Sequence, residues 1–358
     1  MKKPNTIILK PLFIICFSFS LVLVSCSKED NPDAQPIGNN VTIHTAGSKN
    51  ATATSRSIAQ YWENGTPTDI TNGTFDAVAE SIVVTENGDK HIAGYEKNTN
   101  DNTVAKYWKN GIVTSLPATI LGQSSSANDL AVSGNDVYIS GNEDSDNGNS
   151  IAIYWKNNVK EYLSSSTNDT NTTAIAVANN KSYVSGYEKN GNVSTAYIWI
   201  NGIATSLSPG SHNSQATDIF VVGTKVYVSG SELLAGKTVA LYWECDTANG
   251  LNFTVHYLSD ALNFALATSI TVIGNDVFTG GVENLWSKYW KNNTPADAIN
   301  LTTTGDGIVY SLFALGTDIY TITFQDAVGC KYWKNGTQIN TLSTINNGFV
   351  YDLYVTFK

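Results

Sequence analysis

The chain has 358 residues, with 21 Lys and Arg against 31 Asp and Glu, a formal net charge of −10 at pH 7. That length excludes a small stapled domain and leaves room for a large core. The acidic balance opposes phosphate backbones, which argues against nucleic acid as a partner, and four cysteines give no disulfide framework.

The N-terminal segment differs in character from the rest of the chain. Lys2, Lys3 and Lys10 form a basic stretch, followed by the apolar run from Pro11 to Val24. At about 14 residues the run is too short to span a hydrocarbon core as a helix, and it reads as a secretory signal over residues 1–25. Its end, Leu23-Val24-Ser25-Cys26, resembles a bacterial lipobox, which implies lipidation of Cys26 through sulfur and anchoring in a lipid bilayer. Residues 26–40 are polar, contain Pro32 and Pro36, and show no apolar pattern, as expected of a flexible tether. The run Lys28-Glu29-Asp30 is similar to the surface-export signal of Bacteroidetes lipoproteins. Ser27 replaces the Asp of the usual inner-membrane retention signal. The expected location is therefore the outer membrane, facing the cell surface. Loss of residues 1–25 removes three lysines and no acid, leaving 18 basic against 31 acidic residues.

From residue 41 onward the chain repeats. Tyr-Trp or a near variant recurs with tryptophans at 62, 108, 155, 199, 243, 290 and 333, spaced by 46, 47, 44, 44, 47 and 43 residues. One unit shows the pattern. Asn128 to Ser133 is a short apolar strand, Asp136 to Gly141 alternates as a second, Ser150 to Trp155 is a third, and Val159 to Leu163 is a fourth. The last turn is elsewhere Asn-Gly (Asn64-Gly65, Asn110-Gly111, Asn201-Gly202, Asn335-Gly336), the pair that supplies positive φ in a tight hairpin. Four antiparallel strands in about 45 residues make one propeller blade. Residues 41–358 are thus expected to form an all-β, seven-bladed propeller. The innermost strands begin near Ser81, Asp129, Ala174, Asp218, Ser269, Ser311 and Asp352, and the second strands end near the glycines 47, 94, 141, 186, 230 and 281 and Thr323. The repeat starts on a second strand and ends on a first, so the C-terminal strand is expected to complete the N-terminal blade and close the ring.

The pattern Asp-Ile-x-Val, Val-Tyr-Val-Ser-Gly-x-Glu, Ala-x-Tyr-Trp-Lys-Asn-Gly resembles propeller lipoproteins of Bacteroidetes. It is similar, more distantly, to extracellular HAF-type repeats. The resemblance covers residues 41–358 and implies a propeller at the cell envelope. It carries no activity that maps residue by residue.

Residues that recur in every unit are expected to be scaffold. Seven periodic tryptophans each bury on the order of 200 Å², too large an area to leave exposed. Glu96, Glu143, Glu188, Glu232 and Glu283, which follow the second-strand glycine in five units where the other two carry Gln325 and Lys49, are expected to bind backbone amides of a neighbouring loop.

Functional residues should be those that break the repeat. Asp129, Asp218 and Asp352 begin the inner strand where other units have Ser or Ala, and as carboxylates around a channel mouth they suit a cation or a sugar hydroxyl. Capping of loop amides is their structural alternative. Trp286 lies outside the Tyr-Trp motif, and Tyr310 and Tyr351 precede inner strands that neighbour each other once the ring closes. These three aromatics form the expected glycan- or peptide-binding patch. The loop Asn142 to Asn149, with Asn142, Asp144 and Asp146, carries hard oxygen ligands suited to Ca²⁺. It misses the EF-hand pattern and reads better as a solvated polar loop. No other cofactor is implied, and His44, His91, His212 and His256 lack metal-binding spacing. The fifth unit carries a long hairpin insert from Cys245 to His256.

No assembled set of acid, base and nucleophile is legible. The sequence therefore points to a monomeric, non-catalytic surface binding protein for a glycan, peptide or envelope protein. A carbohydrate-active enzyme (glycoside hydrolase or lyase) using Asp129, Asp218 or Asp352, and a scaffold subunit of an outer-membrane complex, are the alternatives.

Overall fold

The structure, a computed structural model, describes residues 40–50, 56–118, 122–302, 306–325, 329–341 and 348–358. The expected signal peptide, Cys26 and the tether up to residue 39 lie outside the described residues.

Seven four-stranded antiparallel sheets form the fold, with one short 3₁₀ turn at Pro295–Asp297 among the described residues. Blades are numbered from the one containing the N-terminal strand. In blade 1 the innermost strand is C-terminal: Gly348–Phe357 pairs with Val41–Asn50, which leads outward to Ser57–Glu63 and Thr66–Asp69. The C-terminal strand therefore closes the ring as the repeat requires. Blades 2 to 7 succeed it in chain order, with inner strands Ala77–Val84, Ser125–Ser133, Asp169–Ala178, Ser214–Val222, Ala265–Ile273 and Gly307–Leu315. Each inner strand contacts the inner strand of the next blade, and those of blades 7 and 1 meet at the closure.

The core lies between blades. Six motif tryptophans are at most 2% exposed and Trp333 is 8% exposed, so burying them against the next sheet is what joins one blade to another. The Lys-Asn after Tyr-Trp has its own task. Asn110 and Asn157 adopt φ of 51° and 50° in the outer hairpin turn, and their side-chain oxygens accept the backbone N–H of Lys90 and Val137 at 2.9 Å. Their amide nitrogens donate to Asp89 and Asp136 at 2.7 Å, and Lys109 and Lys156 pair with the same carboxylates. The motif thus ties the outer turn to the turn between the first two strands. Lys109 and Asn110 hold the Asp89 carboxyl down at about 2.

Inner strands start four or five residues earlier than the sequence suggests, because each contains a β-bulge that interrupts the period-two alternation. The second strands likewise continue past their glycine, to Glu96 or Lys97 and to Glu232 and beyond.

Candidate functional site at the axial cavity

The bulge sets the geometry of the whole centre. One residue per inner strand is left without a direct partner on the second strand: Tyr351 in blade 1, then Glu80, Asn128, Thr173, Thr217, Thr268 and Tyr310. The bulge drives a carbonyl of the inner strand against the second-strand glycine. A Cβ on Gly230 would lie 2.2 Å from the Gln215 carbonyl oxygen and 2.5 Å from the Trp243 ring, so blade 5 leaves no room for a side chain at Gly230. Blade 7 keeps its bulge with Thr323 here, and the Thr323 hydroxyl accepts the indole N–H of Trp333 at 2.8 Å.

Immediately after the bulge comes a belt of Ser, Asp and Ala. Asp352, Asp129 and Asp218 sit in blades 1, 3 and 5 and bond in one pattern. One oxygen accepts the N–H of the following residue (Leu353, Leu130, Ile219) at 2.7–2.8 Å. The other accepts a backbone N–H of the next blade's inner strand, from Ile82, Ile175 and Ile270, at 2.8–2.9 Å. Hydroxyls complete the belt: Ser81 donates towards both Asp129 and Asp352, Ser269 to Asp218 and Ser311 to Asp352. The three aspartates are therefore mid-strand residues that bind strand amides of the adjoining blade. They neither begin the strand nor cap a loop.

A second belt runs through the bulge residues themselves. Asn128 donates to the Thr172 carbonyl of the next blade at 2.8 Å, Thr217 to that of Ala267 at 2.9 Å and Thr268 to that of Val309 at 2.7 Å. Three consecutive blades depart from this small polar type: blade 7 with Tyr310, blade 1 with Tyr351 and blade 2 with Glu80.

These departures line one cavity of about 210 Å³ to which all seven blades contribute. One wall is apolar, made by Tyr310, Tyr351, Phe349, Ile308 and Leu266. The Tyr310 and Tyr351 rings meet edge-on at 5.9 Å, Tyr351 stacks on Phe349 at 6.4 Å, and Phe324 packs behind both Tyr310 and Phe349. Thr173, Thr217, Thr268 and Gln215 supply polar lining, and Asp129, Asp218 and Asp352 also line the cavity. Glu80 is only 3% exposed and lines the same space. Burial, then the charge of Glu80, push the Tyr351 hydroxyl far above its ordinary pKa; Tyr95 is raised by the same causes.

The structure thus brings Tyr310, Tyr351 and the three aspartates together, but Trp286 does not line the cavity. Trp286 opens the third strand of blade 6, directly opposite Glu283 across a turn formed by Asn284 and Leu285, and is 37% exposed. In blade 3 the expected loop is shorter, because the second strand Asp136–Asp144 contains Asn142 and Asp144. Asn142 faces inward: its oxygen accepts from Asn128 and Thr172, and its nitrogen donates to Ser150 and Thr170. It is therefore turned away from Asp146, which accepts from Gln123. Burial and the nearby Asp169 raise the Asp144 carboxyl. Among the described residues no cluster of three His, Cys, Asp or Glu side chains is arranged to hold a metal.

Among the described residues the recurrent glutamates bind side chains where loop amides were expected. Glu143 meets Lys160 at 2.7 Å and Tyr162 at 2.8 Å, Glu283 meets Lys288, and Glu188 meets Asn168. In blade 5 the third strand runs to Asp246 and the fourth is Thr254–Tyr257, so the insert is a long outer hairpin. Cys245 and Cys330 are buried free thiols, each pushed up to about 11 by burial. Sequence reasoning missed Glu80 and Phe349. Glu80 was marked by occupying the same repeat position as Tyr310 and Tyr351. Phe349 had no comparable signal, because it lies in what reads as a loop.

No protein family's sequence pattern matches the chain, and no curated protein matches it. Solved structures match in fold. A puromycin hydrolase aligns with a TM-score of 0.57 at 8% identity, over 87% of this chain and 53% of that one. A puromycin-hydrolyzing peptidase of Mycobacterium tuberculosis aligns with a TM-score of 0.55 at 11% identity, again over 87% and 53%. The chain therefore spans about half the length of these neighbours, and at such identities the likeness is one of fold alone.

Proposed function

We propose that the protein is a non-catalytic binding protein, anchored by lipid at Cys26 to the outer membrane and facing the cell surface, which captures a glycan, peptide or envelope protein at the axial cavity. One observation carries this reading. The repeat is broken at the ring of bulge positions, in three adjacent blades, by two large amphipathic rings and a carboxylate that line a cavity. Scaffold residues in a repeat protein recur, whereas a cluster of exceptions in a concave, mostly apolar site with a few polar groups suits ligand binding.

The carbohydrate-active alternative draws on Asp129, Asp218 and Asp352, which line the same cavity. Each is engaged in the inter-blade belt by a backbone N–H, the position of a fixed structural carboxylate whose lone pairs are already spent on the scaffold. The test is an array of glycans and peptides probed with the full chain and with Tyr351→Ala. A bound glycan or peptide that is left intact, without turnover, and held more weakly by Tyr351→Ala supports the reading. Turnover of a glycan that is lost in Asp218→Asn overturns it in favour of the enzyme. Membrane-fraction retention that is lost in Cys26→Ser is the expected result for the anchor.

A further inference from the structure

The chemistry of the cavity lining narrows the ligand class. Four carboxylates (Glu80, Asp129, Asp218 and Asp352) line it, and among the described residues no Lys, Arg or His does. A concave site lined by one sign of charge focuses its potential on the space inside. Two of the lining threonines point the same way. The hydroxyl protons of Thr217 and Thr268 are given to the carbonyls of Ala267 and Val309, so these oxygens meet a ligand as acceptors. The apolar wall supplies the rings of Tyr310, Tyr351 and Phe349, whose faces attract cations. Carboxylates, acceptor-only hydroxyls and aromatic faces are complementary to one kind of group: a cationic donor.

We propose that the axial cavity binds a ligand through a positively charged amine, held against Glu80 and the rings of Tyr310, Tyr351 and Phe349. The proposal rests on the binding-module reading and specifies its ligand. At about 210 Å³ the cavity is smaller than the roughly 300–1,000 Å³ of sites for drug-sized molecules. It therefore takes a single residue-sized group, either an amino-sugar ring or a lysine-type side chain. Both present the same ammonium, and the experiment separates them.

Calorimetric titration of the full chain uses matched probes: glucosamine against glucose, and Nα-acetyl-lysine amide against Nα-acetyl-norleucine amide. In at least one pair the cationic member should bind about tenfold or more tightly than its neutral partner, and the preference should weaken with salt. Which pair shows the preference identifies the source. Glu80→Gln, which keeps shape and removes charge, should bring the pair to near parity while thermal unfolding stays close to that of the parent. Tyr351→Leu should weaken the cationic probe independently. Parity between charged and neutral probes in the parent chain overturns the proposal. So does a preference that survives in Glu80→Gln, or saturable Ca²⁺ binding that Glu80→Gln abolishes. If a neutral probe binds as well as its cationic partner and is lost in Tyr351→Leu, the binding-module reading stands and the cationic ligand falls. If no probe binds, the cationic ligand is refuted, and the array screen alone decides the wider reading.

Discussion

Replacing Asp352 by Asn should destabilise the propeller by about 2–4 kcal/mol, because this carboxylate joins three blades. One of its oxygens takes the Ile82 N–H and the Ser81 hydroxyl of blade 2, and the other takes the Ser311 hydroxyl of blade 7 and the Leu353 N–H. In the amide, one of these oxygens becomes an NH₂ group facing donors. The Ser81 hydroxyl can turn wholly to Asp129, to which it already donates at 2.7 Å, so its loss is small. The Ile82 amide has no such escape. A buried donor left unsatisfied costs about 1–3 kcal/mol, and weakening the remaining charge-assisted bonds adds about 1 kcal/mol. Urea unfolding followed by tryptophan fluorescence should show a lower midpoint with an unchanged slope. Because Asp129 and Asp352 share Ser81, the double variant Asp129→Asn/Asp352→Asn should deviate from additivity. A midpoint that does not move in Asp352→Asn would refute the belt and make this carboxylate a catalytic candidate again.

Gly230→Ala should be more damaging, by roughly 3 kcal/mol or more in the same assay, since the new Cβ meets a backbone oxygen at 2.2 Å and the Trp243 ring at 2.5 Å; retention of the parent midpoint would contradict the packing of the bulge. His44 is 4% exposed, donates to or accepts from Thr356, and is lowered by burial from 6.5 to about 4, with Glu63 opposing and Lys90 adding to the shift. The unfolded imidazole takes up its proton near pH 6.5 and the folded one near 4. Stability should therefore be full above 6.5 and fall by up to ~3 kcal/mol as pH drops through that window. His44→Gln should flatten that part of the stability–pH curve, leaving the smaller contribution of His91, which is also lowered by burial and bonded to Tyr107. Trp286→Ala, away from the cavity, should leave ligand affinity within about twofold, and a large loss would move the site to blade 6.

Much of the fold is legible because propeller geometry is written in period. The seven Tyr-Trp copies, the Asn-Gly turns and the order of strands in chain and ring are local features that recur. What the period concealed was the bulge. It shifts the side-chain alternation by one residue, so the segment from Ser125 to Ala127 reads as a loop although it is strand. Tyr310 and Tyr351 consequently look like residues before a strand when they are bulge residues within it. The same shift hid Phe349, which lies in strand Gly348–Phe357 although its segment reads as a loop. The recurrent glutamates were misassigned for another reason. For Glu143 the partners Lys160 and Tyr162 lie two strands away, and sequence alone shows no cross-strand register beyond the nearest hairpin. Asn142, counted with loop ligands by composition, is drawn inward by Asn128 and Thr172, a pairing between blades that local sequence does not display.

The claim that the axial cavity is the binding site is tested most directly by a crystal structure of the full chain with a ligand from the array screen. The expected result is density among Tyr310, Tyr351, Phe349 and Glu80, with a cationic nitrogen against the Glu80 carboxylate. Density at the blade 5 hairpin between residues 246 and 255, or beside Trp286, with an empty cavity, would contradict it.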